Sequence, residues 1–298
     1  MNILNFGSLN IDKVYTVDHI VEKGETILTN TYDVFMGGKG LNQSIALQRA
    51  GLQVVHAGLI GHDGQLLVDF LKENGVDCNL IKEVDDVCGH AIIQINPQGQ
   101  NAIMVHGGSN QRIDEKTIDW VLSQNHGCEW MIVQNETSNL DYLLKAAKQK
   151  GLRIIMNPSP ITDSLLKCSL ENVDLFIINE IEGKALSGQR EAHSIIQALS
   201  LKFPHATIVL TLGEEGSLLK ANSDIVTQKA FYVSAVDTTA AGDTFSGYFL
   251  ASYLQGQSAS ESLKIASAAS AISVTQKGAS NSIPTLEAVK VWIKAQNV

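Results

Sequence analysis

The sequence predicts an α/β protein of three layers: a mostly parallel sheet between two layers of helices, with a small β-sheet lid. Two patterns carry this prediction. Short apolar runs alternate with longer amphipathic ones, and that alternation builds parallel sheets covered on both faces. The composition fits a large core, since 44% of the 298 residues are hydrophobic and 18% are charged. A chain of this length buries roughly 75% of its unfolded surface and needs no disulfides. It contains no internal repeat and no low-complexity linker, so residues 1–298 read as one domain.

In chain order, strands are expected at Ile3–Gly7, Val54–Ile60, Trp130–Gln134, Arg153–Asn157, Leu175–Ile178 and Thr207–Thr211. Helices are expected at Gly40–Ala50, Leu66–Glu73, Asn139–Lys150, Glu180–Leu186, Glu191–Lys202, Asp243–Leu254 and Ser260–Thr275. Two segments break the alternation. Ile11–Val34 reads as short strands and turns, with Lys23-Gly24-Glu25 at one turn. Ala91–Ile95 and Ala102–Val105 flank Asn96-Pro97-Gln98-Gly99-Gln100 as a hairpin. Together, about 11–34 and 90–105 would form a lid over a pocket and exclude water during group transfer.

Composition also excludes functions. The formal net charge is −9, which argues against nucleic acid, because binding it needs clustered Lys and Arg. The four cysteines, Cys78, Cys88, Cys128 and Cys168, form no CxxC pair and read as free thiols in a reducing cytosol. The start, MNILNFGSLNID, is not basic and then apolar in the manner of a signal peptide. No run reaches the ~18 apolar residues of a membrane span. A soluble, cytoplasmic protein without a membrane partner is expected.

In open α/β sheets, ligands bind beyond the carboxyl ends of the strands. The residues there are Asn10 and Asp12, Gln134 and Glu136, Asn157, Asn179, and Thr211 and Gly213. Turn chemistry explains any one of them; five polar strand ends together indicate a shared pocket.

Two glycine-containing segments precede helices. Val236-Asp237-Thr238-Thr239-Ala240-Ala241-Gly242-Asp243-Thr244-Phe245 leads into a helix with Phe245, Phe249 and Leu250 as candidate core positions. Its small residues allow close approach of the backbone to a ligand, and free amides at a helix N-terminus bind anions. On these residues alone, Asp243 reads equally as a helix cap or as a catalytic base. Gly37-Gly38-Lys39-Gly40-Leu41-Asn42-Gln43 also precedes a helix, but no GxxxxGK[ST] loop occurs in the chain.

These two segments, some 200 residues apart, resemble the two signatures of the ribokinase-like carbohydrate kinases. The resemblance runs nearly end to end. It takes in Leu9-Asn10-Ile11-Asp12, Gln134-Asn135-Glu136, Asn157-Pro158-Ser159-Pro160, Ile178-Asn179-Glu180-Ile181-Glu182, Thr211-Leu212-Gly213-Glu214-Glu215-Gly216 and Thr275-Gln276-Lys277-Gly278-Ala279, in the family's order.

The resemblance implies a fold, an activity and a set of roles. Asn10, Asp12, Gly38, Lys39, Asn42 and Glu136 would hold a sugar. Asp243 would be the base, with the amides of Ala240, Ala241 and Gly242 as an anion hole for the transferring phosphoryl group. Asn179 and Glu182 would support the phosphates and hydrated Mg²⁺, while Thr211, Gly213, Gly216 and Gly242 would line the ATP site. A K⁺ site would use the Asp237 carboxylate, the carbonyls of Thr239, Ser273, Gln276 and Gly278, and the Ser282 hydroxyl. The implied reaction is ATP-dependent phosphorylation of D-ribose at its primary hydroxyl, by a homodimer paired through the lids. Other sugars and nucleosides are the rival substrates, and a non-catalytic sugar sensor is the rival class.

The chain departs from the family pattern in three places. Ser267 stands where an adenine-side His or Asn is frequent. Gly61-His62-Asp63-Gly64-Gln65-Leu66 lacks the last glycine of a G-x-D-x-x-G stretch, and Ser246 replaces a frequent Asn.

Overall fold

Short apolar runs form the central strands, and apolar side chains that recur every third or fourth residue form the helices that cover them. The computed structural model describes residues 1–124, 127–221 and 224–296. The first half comprises β1 (Asn2–Phe6), β2 (Asn10–Thr16), β3 (Thr31–Gly37), α1 (Lys39–Arg49), β4 (Gln53–Ile60), α2 (Gln65–Glu73), β5 (Asp77–Glu83), β6 (Gly89–Ile95), β7 (Asn101–His106) and α3 (Glu115–Ser123). Next come β8 (Trp130–Gln134), α4 (Leu140–Gln149), β9 (Arg153–Asn157), β10 (Leu175–Asn179), α5 (Glu180–Ser187) and α6 (Ala192–Lys202). The chain closes with β11 (Thr207–Thr211), β12 (Ser217–Ala221), β13 (Asp224–Gln228), α7 (Ala241–Leu254), α8 (Ala259–Ser273) and α9 (Leu286–Ala295).

Nine strands form one sheet in the order β13-β12-β11-β10-β9-β8-β1-β4-β5. From β11 to β5 every pairing is parallel; β12 and β13 extend the sheet antiparallel. Alternate side chains of the central strands enter two cores. Ile3, Ile132, Ile155, Ile177 and Val209 pack with side chains of α1, α2, α7, α8 and α9. Leu4, Met131, Val133, Phe176 and Leu210 pack on the other face with those of α3 to α6. Each fully buried aliphatic side chain contributes roughly 1.5–3 kcal/mol, so the layers hold without a disulfide. All four cysteines are free.

The expected strands and helices are present, with ends shifted by one or two residues. Five elements were not expected: β5, β12, β13, α3 and α9. β5 reads Asp-Cys-Asn-Leu-Ile-Lys-Glu and lies at the sheet edge with only Cys78 and Leu80 buried. Its register with β4 shifts between Val55 and Ala57. An edge strand needs no continuous apolar run, so its sequence lacks the signal.

The segments that interrupted the alternation form a second sheet in the order β3-β2-β6-β7. Gly24, at φ +83°, closes the turn in which the Glu25 amide donates to the Glu22 carbonyl. In the hairpin turn, Asn96 Oδ1 accepts from the amides of Gln98 (3.1 Å) and Gln100 (2.9 Å). Tyr32, Val34, Ile103, Met104 and Val105 of this sheet are exposed.

α1 and α7 cross without a gap. A Cβ added at Gly247 would lie 2.3 Å from the Ala46 Cβ, closer than two carbons can approach. This crossing brings the N-terminal turns of the two helices together above the carboxyl ends of β1 and β8. The strand order reverses between those two strands, which is where a doubly wound sheet opens a crevice.

Candidate active site

Gly40 lies against the backbone after β1 and Gly37 against Asp12 of β2, so neither position has room for a side chain. A Cβ at Gly40 would lie 2.3 Å from the Ser8 amide nitrogen, and one at Gly37 would meet the Asp12 carboxylate at 2.0 Å. Gly38, the residue before α1, has φ +91° and supplies no side-chain cap. Neighbouring strands cap the helix instead. The Lys39 amide donates to Glu136 Oε2 at 3.0 Å, the Gly40 amide to Ser8 Oγ at 3.1 Å, and the Leu41 amide to the Ser8 carbonyl at 3.0 Å. Ser8 Oγ also donates to Glu136 Oε2. The start of α1 is therefore satisfied within the protein, and one Glu136 oxygen is committed to it.

The start of α7 is different. No side chain caps it, and the residue before it, Ala240, is left-handed at φ +60°, a strained conformation for a residue with a Cβ. Ala241 closes a turn, its amide donating to the Thr238 carbonyl at 3.2 Å. A Cβ on Gly242 would meet nothing within 4 Å. A cavity of about 230 Å³ opens here, lined by Thr238, Ala240, Ala241, Gly242, Asp243 and Ser246 on one side and by Lys39, Asn157, Ser159, Ile177, Ile178, Asn179, Glu182 and Thr211 on the other.

Asp243 is the third residue of α7, not its cap, since Ala240 precedes the helix. Its carboxylate is buried and points at α1, where Asn42 Nδ2 donates to Oδ2 at 3.1 Å and Gln43 Nε2 to Oδ1 at 2.9 Å. Asn179 is both a cap and a cavity residue. Its Oδ1 accepts from the Glu182 amide at 3.0 Å, and Glu182 Oε2 accepts from the Asn179 amide at 3.0 Å, a reciprocal capping box.

The candidate sugar residues lie mostly beyond this cavity. Only Lys39 and Asp243 of that group line it. Asn110 Nδ2 donates to Asn10 Oδ1 at 2.7 Å, which turns the Asn10 amide NH₂ away and leaves it to donate. Asn42 Oδ1 is buried without a partner among the described residues, an orphan that a ligand hydroxyl would satisfy. Of the candidate nucleotide residues, Asn179, Glu182, Thr211 and Gly242 line the cavity, whereas Gly213, Gly216 and Ser267 do not. Ser267 is buried within α8. The missing glycine is harmless: Leu66 stands half-exposed in the first turn of α2. Ser246, the third departure, donates to the Gly242 carbonyl at 2.8 Å.

The candidate cation residues cluster before α7 and after α8. Asp237 Oδ1 accepts from the Thr239 amide (2.9 Å) and Oδ2 from the Gly278 amide (3.0 Å), tying the two loops together. Burial raises the Asp237 pKa, but these bonds, the Thr239 hydroxyl and Lys277 outweigh it and hold the carboxylate below its ordinary range. The Ser273 carbonyl accepts from the Gln276 amide, and the buried Ser282 hydroxyl donates to the Ala279 carbonyl at 2.8 Å. This is an all-oxygen set with one charge, which fits a large, weakly hydrated cation. The described residues contain no cluster of three His, Cys, Asp or Glu side chains suited to a transition metal.

Charge is concentrated at the junction between cavity and sugar residues. Burial works against the Lys39 ammonium, but the carboxylates of Asp243, Glu136 and Glu182 prevail and hold its pKa above the ordinary value. Burial raises Glu136 despite donation from Ser8 and Lys39. Burial, with Glu136 nearby, pushes the Asp12 carboxyl up to about 7.

A buried carboxylate beside an open helix N-terminus, across a polar cavity from a lysine, is the layout of a phosphoryl-transfer site. The chain belongs to the pfkB family of carbohydrate kinases, whose sequence model matches residues 2–286. It is 34% identical over 293 residues to the ribokinase of Haemophilus influenzae, with 94% of each chain covered. Its fold is similar to that of Cryptococcus neoformans ribokinase in complex with ADP, at a TM-score of 0.85, 33% identity and coverage of 97% of this chain and 99% of the other. The same TM-score, 0.85, relates it to Arabidopsis thaliana ribokinase complexed with ribose and ATP, 28% identical with 98% of both chains covered. No described helix is long and apolar enough to cross a membrane.

Asp12 gives a stability test. Its carboxyl ionises near 3.8 when unfolded and at about 7 when folded. The unfolded chain therefore releases this proton first, and folding stability falls as pH rises between those values. Urea unfolding at pH 4 to 8 is expected to show this decline in the free protein and to lose much of it in Asp12→Asn. Equal slopes in the two proteins would disprove the shift.

Proposed function

We propose that this kinase transfers the γ-phosphoryl group of ATP to the primary hydroxyl of D-ribose, with Asp243 as the base. The observation that carries this reading is the Asp243 carboxylate, held by two amide donors beside the open N-terminus of α7. Each of its oxygens accepts one of those bonds and retains a lone pair for the acceptor hydroxyl. Relatives and solved structures that are ribokinases support ribose as the sugar.

Asn10, Asp12, Gly38, Lys39, Asn42 and Glu136 hold the sugar in this reading. Asn10 donates through its free NH₂, Asn42 accepts at its unpartnered Oδ1, and ionised Asp12 accepts from two neighbouring hydroxyls. Glu136 has Oε1 left for this purpose. Asp243 takes the proton from the primary hydroxyl as that oxygen attacks the γ-phosphorus in line. The amides of Ala240 and Gly242, with Lys39, stabilise the charge gathering on the transferring group, and the Ala241 amide joins them only by giving up its 3.2 Å bond to the Thr238 carbonyl. Thr211 and the Gly213 and Gly216 backbone border the rest of the nucleotide, with Ser267 beneath it. The β2, β3, β6 and β7 sheet closes over the sugar and excludes water. ATP dependence fits the cytosol, which supplies the nucleotide.

Asn179 and Glu182 would hold Mg²⁺ through its water shell, and the ion would neutralise phosphate charge. Asp237, Thr239, Ser273, Gln276, Gly278 and Ser282 would hold K⁺, which would add a fixed positive charge. Asp237 acts by joining the loop before α7 to the 276–278 turn. The exposed apolar side chains Tyr32, Val34, Ile103, Met104 and Val105 support a homodimer paired through the lids.

An ADP-release assay across a panel of sugars is expected to give the highest kcat/KM with D-ribose. Preference for 2-deoxyribose or fructose would reassign the substrate. Asp243→Asn is expected to fold and bind ribose but to lose ~10²–10⁴-fold in kcat. Near-normal turnover would remove Asp243 as the base, and ribose binding without any turnover by the unmodified protein would make it a sensor. Rates are expected to be higher in K⁺ than in Na⁺ at equal ionic strength, and equal rates would count against the cation site. Sedimentation should give a dimer that Val105→Lys weakens; a monomer at all concentrations would refute lid pairing.

A further inference from the structure

Behind Asp243 runs a buried chain of side-chain amides that the roles above leave unused. Gln43 Nε2 donates to Asp243 Oδ1 at 2.9 Å. Gln134 Nε2 donates to Gln43 Oε1 at 2.7 Å and to Asn5 Oδ1 at 3.1 Å. Asn5 Nδ2 in turn donates to the Gly40 carbonyl at 2.7 Å and to Ser44 Oγ at 2.8 Å. Ser44 Oγ is also 2.8 Å from His56 Nδ1. Asn5, Gln43, Ser44 and His56 are fully buried and Gln134 is 1% exposed. None of them therefore touches a ligand from solvent. They come from β1, α1, β4 and β8, so the chain crosses the middle of the fold.

Its polarity is the informative feature. A glutamine amide presents either N–H donors or an acceptor oxygen to its neighbour. With the oxygen turned to Asp243, two acceptors would face each other in a low-dielectric interior. The Gly40 carbonyl can only accept, which orients Asn5 with its oxygen toward Gln134. Gln134 must then donate, both to Asn5 and to the Gln43 oxygen. The Gln43 NH₂ is left facing Asp243. A main-chain carbonyl thus sets, through three side chains, the end of Gln43 that the carboxylate meets.

We infer that Gln43 is a positioning residue for the base, held in its donating orientation by Gln134 and Asn5 and fixing the Asp243 carboxylate by Oδ1. The inference rests on the reading of Asp243 as the base. Charged groups also face that carboxylate: Lys39 from α1 and Glu136 from beyond β8, while Glu182 of α5 faces Lys39. His56, at the far end, is uncharged, because burial pushes its pKa down to about 4. Gln43 is thus a neutral donor that steadies the carboxylate without adding charge. A hydrogen bond to the ionised form also favours it over the protonated form.

The test uses Gln43→Met, which removes the donor at similar length, Gln43→Glu, which is isosteric but faces the base with a second carboxyl group, and Gln134→Met, which frees the Gln43 amide to turn. Asp243→Asn is measured alongside. Both Gln43 variants are expected to lose ~10–100-fold in kcat, the scale of a misplaced reacting group, with the KM for ribose within about threefold of the unmodified enzyme. The acid limb of the kcat/KM–pH profile is expected to move up by about one unit in Gln43→Met and further in Gln43→Glu. Gln134→Met should fall in the same direction by less. Thermal midpoints separate folding from positioning. If kcat falls only in proportion to lost folded protein and the acid limb stays in place, Gln43 is merely structural and the inference is overturned. The same holds if either Gln43 variant retains kcat and pH profile while Asp243→Asn is inactive. An active Asp243→Asn would instead overturn the underlying assignment of the base.

Discussion

The active site depends on two helices crossing with nothing between them. Asp243 lies one turn before Gly247 on α7, and Asn42 and Gln43 lie one turn before Ala46 on α1. Side chains three and four apart share a helix face. The backbone contact at Gly247 and Ala46 therefore fixes how far the carboxylate stands from its two amide donors. A side chain at 247 would move the whole first turn of α7, and with it the helix-start amides and the Asp243 carboxylate together. Glycine is required at 247 by this packing, whereas at 242 an added Cβ would meet only open space.

The second constraint is electrostatic. Glu136, Glu182 and Asp243 gather around one ammonium, Lys39, and Asp12 stands beside Glu136, where the proposed function brings a polyanionic nucleotide. Three of these carboxylates are spent on backbone or amide donors. Glu136 caps α1, Glu182 completes the capping box of α5, and Asp243 takes the amides of Asn42 and Gln43. Among the described residues, no hydrogen bond reaches the Asp12 carboxylate, which is the one pushed up to about 7. Neutral dipoles thus allow a crowded acidic site to accept phosphate. Lys39 and the α7 N-terminus supply the positive potential.

Much of this was legible in the chain. Short continuous apolar runs marked the central strands, and the glycine-containing segments before residues 40 and 243 marked the two helix starts. The edge strands β5 and β13, and β12 beside the latter, were not legible, because partly exposed strands carry a mixed pattern. Asp243 could not be assigned from its own neighbourhood, since a cap and a base share the same sequence. Ala240, not Asp243, occupies the position before α7, which decides against the cap. Asn179 needed no such choice, as it caps α5 and borders the cavity at once. The likeness to known kinases drew attention to Ser267 at the adenine side; its side chain is buried within α8 and is not among the residues that line the cavity.

By itself the sequence determined the layer order, the polar strand ends and the residue types of the two helix starts. Those follow from local periodicity and from backbone conformations available to each residue. Only the tertiary structure decided which residues serve each other. Ser8 and Glu136 cap a helix that begins at residue 39, Asn110 turns Asn10, and Asn5 and Gln134 set the face that Gln43 shows to Asp243. The partners in these bonds stand 32 to 200 residues apart in the chain. An amide or hydroxyl takes its role from whichever group packing brings within 3 Å, and no local pattern encodes that choice.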